Sequence, residues 1–303
     1  MFKEVYQRLP KRALFISLSI LLLLITTEIV CTFYIPVWRK FFYNTLSAKD
    51  INAFYNSLWL YLILISLLTF AQSFKAWCGQ RLSLIVRTGL TKYLLRKWTT
   101  AGKINEVDNP CQRINEDSRL CTELTVGVLT EVIISATIVV SLVISSIDDT
   151  KLLLLSLGYT IIVMGIAHFF KPGLINADLT LQKAEADHRF SLSRITLGQG
   201  DYTAPGKYEV VKTFYNKWVN TLLRYSIFNS MQTNFMPLIA YLVLCPLFFA
   251  GTLTLGDFMG KVAVFDLLVL NSTILVQLFP TITRAQASFK RITLFNEKLN
   301  GTN

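Results

Sequence analysis

Charged residues are scarce in this sequence. They make up 16% of its 303 residues, whereas hydrophobic residues make up 52%. Soluble domains usually carry about 25% charged residues, so this composition argues against a globular cytosolic protein. It also excludes a disordered chain, which requires low hydrophobicity and high net charge. The net charge of +11 would favour a nucleic-acid partner in a soluble chain, but in an apolar chain a basic excess is typical of cytoplasmic loops. We therefore expect no nucleic-acid partner.

Residues that hold metals or nucleotides are also few. The sequence has two histidines, His168 and His188, and five scattered cysteines, so no metal-binding spacing is present. A Walker A loop needs four residues between its glycines and a Lys followed by Ser or Thr. Residues 200–207 come nearest, but five residues separate their glycines and Tyr208 follows the lysine. We expect no enzymatic activity, no cofactor and no bound metal.

Six long apolar runs dominate the sequence instead. A membrane-spanning helix needs about 20 mostly apolar residues, and each run is near that length or longer. The runs lack the alternation of barrel strands, so we predict helices. The first run is too long for the apolar part of a signal peptide and shows no cleavage site, so we expect it to remain as a span. The six predicted spans are residues 13–36, 51–74, 124–147, 152–170, 227–254 and 258–280.

Lys and Arg are unevenly distributed between the two sides of these spans. Twenty-five of the thirty lie in the two termini and in the loops 75–123 and 171–226. Cytoplasmic segments carry such an excess, so we predict that both termini and both long loops are cytoplasmic. Both loops also have a helical pattern, with breaks near 101–102 and 198–206 and an N-cap at Asn109 before Pro110. The spanning helices are therefore predicted to extend into the cytoplasm.

Four short motifs follow one another along the chain. Residues 38–46 read WRKFFYNTL, residues 108–123 read DNPCQRINEDSRLCTE, residues 185–195 read EADHRFSLSRI and residues 248–259 read FFAGTLTLGDFM. They resemble W-x-x-x-F-Y-x-x-L, N-P-x-Q-R-I-x-E-D, E-A-x-x-R-F-x-L-x-R and F-x-A-G-x-[IL]-T-L-G-x-x-M in the SbmA/BacA-like transporters and their ABC-type relatives. The resemblance covers most of the chain.

The resemblance implies an all-α membrane protein with an ABC-exporter-type (type IV) transmembrane domain over residues 1–303. It further implies a domain-intertwined homodimer in the bacterial inner membrane that imports peptides, including antimicrobial peptides, with the proton gradient. The lack of an ATPase domain after residue 280 and of an LSGGQ-like signature favours this branch. The sequence of residues 185–195 is closer to that of the ABC-type branch. Two alternatives therefore stay open: a transmembrane subunit with a separately encoded ATPase, and a truncated membrane protein that does not transport.

Acidic residues near the membrane are candidates for a proton path, because desolvation raises the pKa of a carboxyl group and a charge within a span is costly. Glu116 and Glu123 are seven residues apart and share a helix face, and Glu131 follows eight residues later. Asp117 and the motif acid Glu185 complete the candidate set. A structural alternative for Glu116 and Asp117 is that they only pair with nearby arginines and dock helices.

A second set of residues is predicted to line the substrate cavity. Glu28 and Asp266 are acids within spans, and Lys261 is a basic residue within a span. Trp38 and Tyr43 are expected at the outer mouth, where aromatic rings contact peptides. Lys261 is better spaced for pairing with Asp257, four residues away, than with Asp266.

Overall fold

The computed structural model describes residues 2–101, 110–198 and 204–300, and every regular element in these ranges is helical. The all-α fold class is therefore confirmed. A π-helical turn is formed by Arg113–Asp117. The other elements are α1 (Phe2–Gln7), α2 (Lys11–Ala48), α3 (Ile51–Ala101), α4 (Pro110–Gln112), α5 (Ser118–Ser145), α6 (Thr150–Thr196), α7 (Ala204–Phe249), α8 (Leu255–Ser272), α9 (Ile274–Gln277) and α10 (Phe279–Asn300).

Five helices among the described residues are long and apolar enough to cross a membrane. They overlap the first five predicted spans, so the chain is a multi-pass membrane protein. Two of those spans, 124–147 and 227–254, run two and five residues past the helix ends at Ser145 and Phe249. The 51 residues of α3 correspond to about 75 Å, more than twice the roughly 30 Å of a hydrocarbon core. This length agrees with helices that continue beyond the bilayer.

The sixth predicted span, 258–280, is divided between three elements. Helix α8 ends at Ser272, Thr273 separates it from α9, and α10 begins at Phe279. Three charged residues lie within α8, which lowers its hydropathy. A sixth crossing of the membrane stays a prediction. The predicted cap at Asn109 and residues 102 and 199–203 of the two predicted helix breaks lie outside the described residues. Helix α6 does end before Gly198, whose φ is 72°, but residues 204–206 of the second predicted break lie within α7.

The chain packs as two compact units, Met1–Ser156 with Ala240–Asn303, and Leu157–Ile239. We call them the core unit and the hairpin unit. In the hairpin unit, α6 and α7 run antiparallel. Tyr159 donates a hydrogen bond to the carbonyl of Gln232 near one end (2.7 Å), and Lys207 bonds to Ser191 near the other. The prediction of one domain over 1–303 stays a prediction.

Two hydrophobic clusters hold the core unit together. The first joins α2, α3, α5 and α8, and the second joins α1, α3, α5 and α10. Members of the first are Leu21, Leu24, Ile25, Cys78, Leu82, Ile134, Ile138, Leu142 and Leu268. Members of the second are Val5, Leu90, Tyr93, Leu94, Cys121, Ile292, Phe295 and Leu299. The amphipathic C-terminal helix α10 therefore has its apolar face covered by α3 and α5.

Helices α2 and α8 approach each other closely through two glycines. The Gly256 N–H donates to Asn44 Oδ1 (3.0 Å), and a Cβ at position 256 would lie 2.1 Å from the carbonyl oxygen of Lys40. A Cβ at position 260, one turn later, would lie 3.1 Å from the Cβ of Lys40. Small residues four apart allow two helix backbones to approach in this way.

Candidate functional site

An ion cluster joins three helices of the core unit. Lys75 of α3 lies 2.8 Å from Glu28 Oε2 of α2 and 3.0 Å from Glu131 Oε1 of α5. Gln72, one turn before Lys75, donates to Glu28 Oε1 at 3.3 Å. The side chains of Glu28 and Lys75 are 9% and 11% exposed, whereas that of Glu131 is 39% exposed. Charges in such places are retained only when paired. The cluster holds two carboxylates and one ammonium group.

A groove of about 580 Å³ opens beside this cluster, between α3 and α5. We call it the α3–α5 groove. A Cβ added to Gly79 or Gly127 would meet nothing within 4 Å, so both glycines border open space. The lining is mostly apolar. The groove is bordered by Lys75, Ala76, Trp77, Gly79, Gln80, Ser83, Glu123, Leu124, Val126, Gly127, Val128, Thr130, Glu131, Leu278 and Thr281.

The predicted acid series does not share one environment. Glu123 pairs with Arg119 at 3.3 Å and borders the α3–α5 groove, as Glu131 does. Glu116 lies half-buried on the π-helical turn, which changes the helical register between it and α5. Glu185 lies exposed on α6 in the hairpin unit. A proton path through these acids stays a prediction.

Asp117 is fully buried between two arginines. Arg113 Nη1 lies 2.9 Å from its Oδ2. Arg291 of α10 donates to it through Nε (3.0 Å to Oδ1) and Nη2 (2.7 Å to Oδ1). Arg291 also donates to Ser288, at 3.2 Å. We call Arg113, Asp117 and Arg291 the arginine clamp. These contacts agree with the structural alternative for Asp117, with one partner, Arg291, that the spacing of the sequence did not indicate.

The two aromatic residues predicted at the outer mouth contact neighbouring side chains. Trp38 Nε1 donates to the carbonyl of Ser57 at 2.8 Å, and its ring stacks on Tyr61 with centroids 4.3 Å apart. Tyr43 is half-buried and contacts Phe42 edge to face. Trp38 therefore joins α2 to α3 through a hydrogen bond and a ring contact. Contact of either ring with a substrate stays a prediction.

The charged residues of α8 do not form the ion pair that their spacing predicts. Lys261 forms an ion pair with Asp149, before α6, and Asp257 pairs with Lys40 of α2 at 2.7 Å. The expected Asp257–Lys261 pair is not among the ion pairs of the described residues, because each residue faces a different neighbouring element. Asp266 Oδ1 is buried and accepts no hydrogen bond from the residues that the structure describes.

Comparison with known proteins identifies the membrane domain. Residues 9–197 match the sequence profile of the family described as ABC transporter transmembrane region 2. The chain belongs to this family. Three of the four motifs lie within the matched region. The matches support ABC-type relatives and do not support the SbmA/BacA-like branch in particular.

Three relatives carry ABC-transporter names. An uncharacterized ABC transporter ATP-binding protein of Synechocystis sp. is 23% identical over 86% of this chain and 43% of its own length. ABC transporter D family member 2, chloroplastic, of Arabidopsis thaliana is 26% identical over 86% of this chain and 39% of its own. An uncharacterized ABC transporter ATP-binding protein of Haemophilus influenzae is 25% identical over 94% and 54%. The chain spans about half or less of the length of these relatives.

Two residues of the ion cluster and the arginine clamp are not indicated by the local sequence. Lys75 stands directly after the uncharged run 51–74, a position that suggested only a cytoplasmic loop. Arg291 has no acid at helical spacing. In neither case does the local sequence indicate the partner, since the pairs join separate helices.

Among residues 2–101, 110–198 and 204–300, no three His, Cys, Asp or Glu side chains lie close enough together to hold a metal ion.

Asp257 is held ionised at the N-terminus of α8, between the fifth and sixth predicted spans. Hydrogen bonds from Lys40 and then Thr254 lower the pKa of its carboxyl group below the ordinary 3.8. Thr254 caps α8 by accepting from the Asp257 N–H at 3.0 Å. A lowered pKa in the folded state stabilises the protein above the unfolded pKa, and this stabilisation is lost as the pH falls through the folded value.

Asp257→Asn should therefore lower the free energy of unfolding by about 0.3–1 kcal/mol at pH 7, the usual value of a negative charge in the first turn of a helix. The difference from the wild type should shrink as the pH falls below about 4, where the unfolded aspartate is protonated. Melting temperatures of both proteins between pH 7 and 3.5 measure this. Asp148→Asn, an exposed acid nearby, is the control. A difference that stays constant with pH would contradict the prediction.

Proposed function

We propose that this chain forms the membrane-spanning part of an ABC transporter in which ATP, hydrolysed by a nucleotide-binding domain, drives a substrate across the bilayer. The family match over residues 9–197 carries the proposal. Two relatives are named ATP-binding proteins, and this chain spans only about half of each. The ATPase would then lie on a separate subunit or on a longer form of the chain.

The proposal includes a homodimer. In the hairpin unit each helix covers one face of the other, and large apolar side chains remain exposed along both helices. Examples are Phe190, Leu197, Tyr208 and Tyr215. They lie on the predicted cytoplasmic extensions, where lipid does not cover them. A second copy of the chain would bury them. This arrangement supports the intertwined dimer that the resemblance implies.

The proposal also includes the bacterial inner membrane, with both termini in the cytoplasm. Twenty-five of thirty Lys and Arg residues lie on that side by sequence. In this orientation α10 and the arginine clamp face the compartment that contains ATP. Coupling between an ATPase and the spanning helices would then pass through the packed cytoplasmic ends of α3, α5 and α10.

Vanadate-sensitive ATP hydrolysis is the expected result when the full chain is purified from the membranes of its own cells and placed in lipid nanodiscs. The activity should elute with the chain on gel filtration, because the transmembrane part and its ATPase form one complex. A preparation of the same membranes from cells that lack the chain is the control. A monodisperse chain with no associated ATP hydrolysis would contradict the proposal.

Proton-driven peptide import is the second candidate, favoured by the ion cluster of Glu28, Lys75 and Glu131. The cluster has one carboxylate in excess, and an acid within a membrane span is a candidate for ion coupling. Uptake of a labelled proline-rich peptide into membrane vesicles, with and without a protonophore, separates the two functions. Uptake that needs ATP supports the first proposal, and uptake abolished by the protonophore without ATP supports the second.

A further inference from the structure

We propose that the α3–α5 groove binds the positively charged group of an amphipathic organic cation, and that Glu131 is the residue that contacts this group. The inference rests on the proposed transport function, of which it names the substrate class. It is carried by three observations: a groove of suitable size, an unbalanced charge at its edge, and the difference in exposure between the two carboxylates of the ion cluster.

The groove has the size and chemistry of a small-molecule site. Its volume of about 580 Å³ lies within the roughly 300–1,000 Å³ of ligand pockets. It follows α3 from Lys75 to Ser83, a distance of about 12 Å along the helix. Trp77, Val128 and Leu278 are among its apolar lining residues. Such a surface fits a compact apolar body that carries one polar group.

The charges select a cation. Lys75 already contacts two carboxylates, at 2.8 and 3.0 Å, so its positive charge is compensated and an anion would meet the carboxylate in excess. The cluster carries one negative charge in excess. The other acid of the groove, Glu123, is balanced by Arg119. An unbalanced charge is costly in a low-dielectric environment. A cationic ligand would neutralise the excess negative charge of the cluster.

The position of the two carboxylates selects Glu131. Glu28 is 9% exposed and also accepts a hydrogen bond from Gln72, whereas Glu131 is 39% exposed and borders the groove. Only Glu131 therefore has an accessible face. Gly79 and Gly127 keep the groove open beside it, since neither has a neighbouring atom within 4 Å of the place of a Cβ.

Tetraphenylphosphonium is a suitable probe, with tetraphenylborate as an anion of the same shape. Equilibrium dialysis of the full chain in nanodiscs of phosphatidylcholine, without ATP, measures binding, and empty nanodiscs correct for partition into lipid. We expect saturable binding of the cation and none of the anion. Glu131→Gln should weaken cation binding at least tenfold, and Glu209→Gln, an exposed acid paired with Lys212, should leave it unchanged.

A steric variant tests the location independently of charge. Gly127→Leu fills the groove and should abolish cation binding, while Gly158→Leu, also in open space on α6, should not affect it. If Glu131→Gln fails to fold, cation binding by Gly127→Leu tests the inference on its own. Equal binding in Gly127→Leu and wild type, or equal saturable binding of both ions, would overturn the inference. Because ATP is absent, cation binding without any associated ATPase would overturn only the proposed function.

Discussion

Replacing Asp117 with asparagine should lower the free energy of unfolding by about 3–5 kcal/mol, the usual cost of removing one partner from a buried ion pair. Asp117 is fully buried and contacts Arg113 and Arg291 at 2.9 and 2.7 Å. An asparagine side chain would take away the carboxylate that both guanidinium groups contact in the core unit. It would also release α10 from the π-helical turn, since Arg291 joins these two elements.

The melting temperature of the variant in detergent should fall by about 10 °C, because 1 kcal/mol corresponds to roughly 2–4 °C in chains of comparable size. Glu123→Gln is the matched control. It breaks the more exposed Arg119–Glu123 pair in the same region, which should contribute only about 0.3–0.5 kcal/mol. Equal melting temperatures for the two variants would show that the arginine clamp does not stabilise the fold.

A double variant separates the lost pair from the charge that it leaves behind. Arg291→Gln added to Asp117→Asn removes the charge that faced Asp117 from α10, so part of the stability should return. The recovery should exceed about 0.5 kcal/mol, as expected for residues in direct contact. Simple addition of the two single effects would mean that Asp117 acts through other contacts than Arg291.

Gly256→Ala should be the second most damaging substitution, with a loss of about 3 kcal/mol, at the upper end of the usual range for overpacking. The new Cβ would lie 2.1 Å from the carbonyl oxygen of Lys40 and 2.4 Å from Asn44 Oδ1. Backbone atoms of α2 cannot rotate away, so the two helices must separate. The Gly256 N–H would then lose its 3.0 Å hydrogen bond to Asn44.

Gly165→Ala is the control for Gly256→Ala. Gly165 lies within α6, and an added Cβ there meets nothing within 4 Å. Alanine favours a helix over glycine by about 0.8–1.0 kcal/mol, so this variant should be as stable as the wild type or more so. Melting temperatures of the two variants, each compared with the wild type, measure the difference. A Gly256→Ala variant that melts with the wild type would show that α2 and α8 are not in close contact.

Much of the helical framework could be predicted from the sequence. Long apolar runs indicated the first five spans, since hydropathy is a local property that does not depend on packing. Periodicity also indicated that the segments after residues 74 and 170 remain helical. The division of 258–280 is not predicted from the sequence because no proline or glycine marks the break at Thr273.

The candidate site was predicted only in part. Glu28 and Glu131 stood out because acids are rare within apolar runs, and the structure places both against Lys75. Lys75 itself had been assigned to a cytoplasmic loop. Pairing across helices depends on which faces meet, and the spacing of a residue along its own helix does not contain that information. The same reason explains why Lys261 pairs with Asp149 and not with Asp257.

By itself, the sequence determined the class of this protein: a low content of charge, long apolar runs and a one-sided distribution of Lys and Arg require membrane-spanning helices, whatever their arrangement. Only the tertiary structure decided which charges meet. Arg291 and Asp117 are 174 residues apart, and Glu131 and Lys75 are 56 apart. Hydrophobicity acts on each segment separately, whereas an ion pair needs a distance of a few ångströms that packing alone establishes.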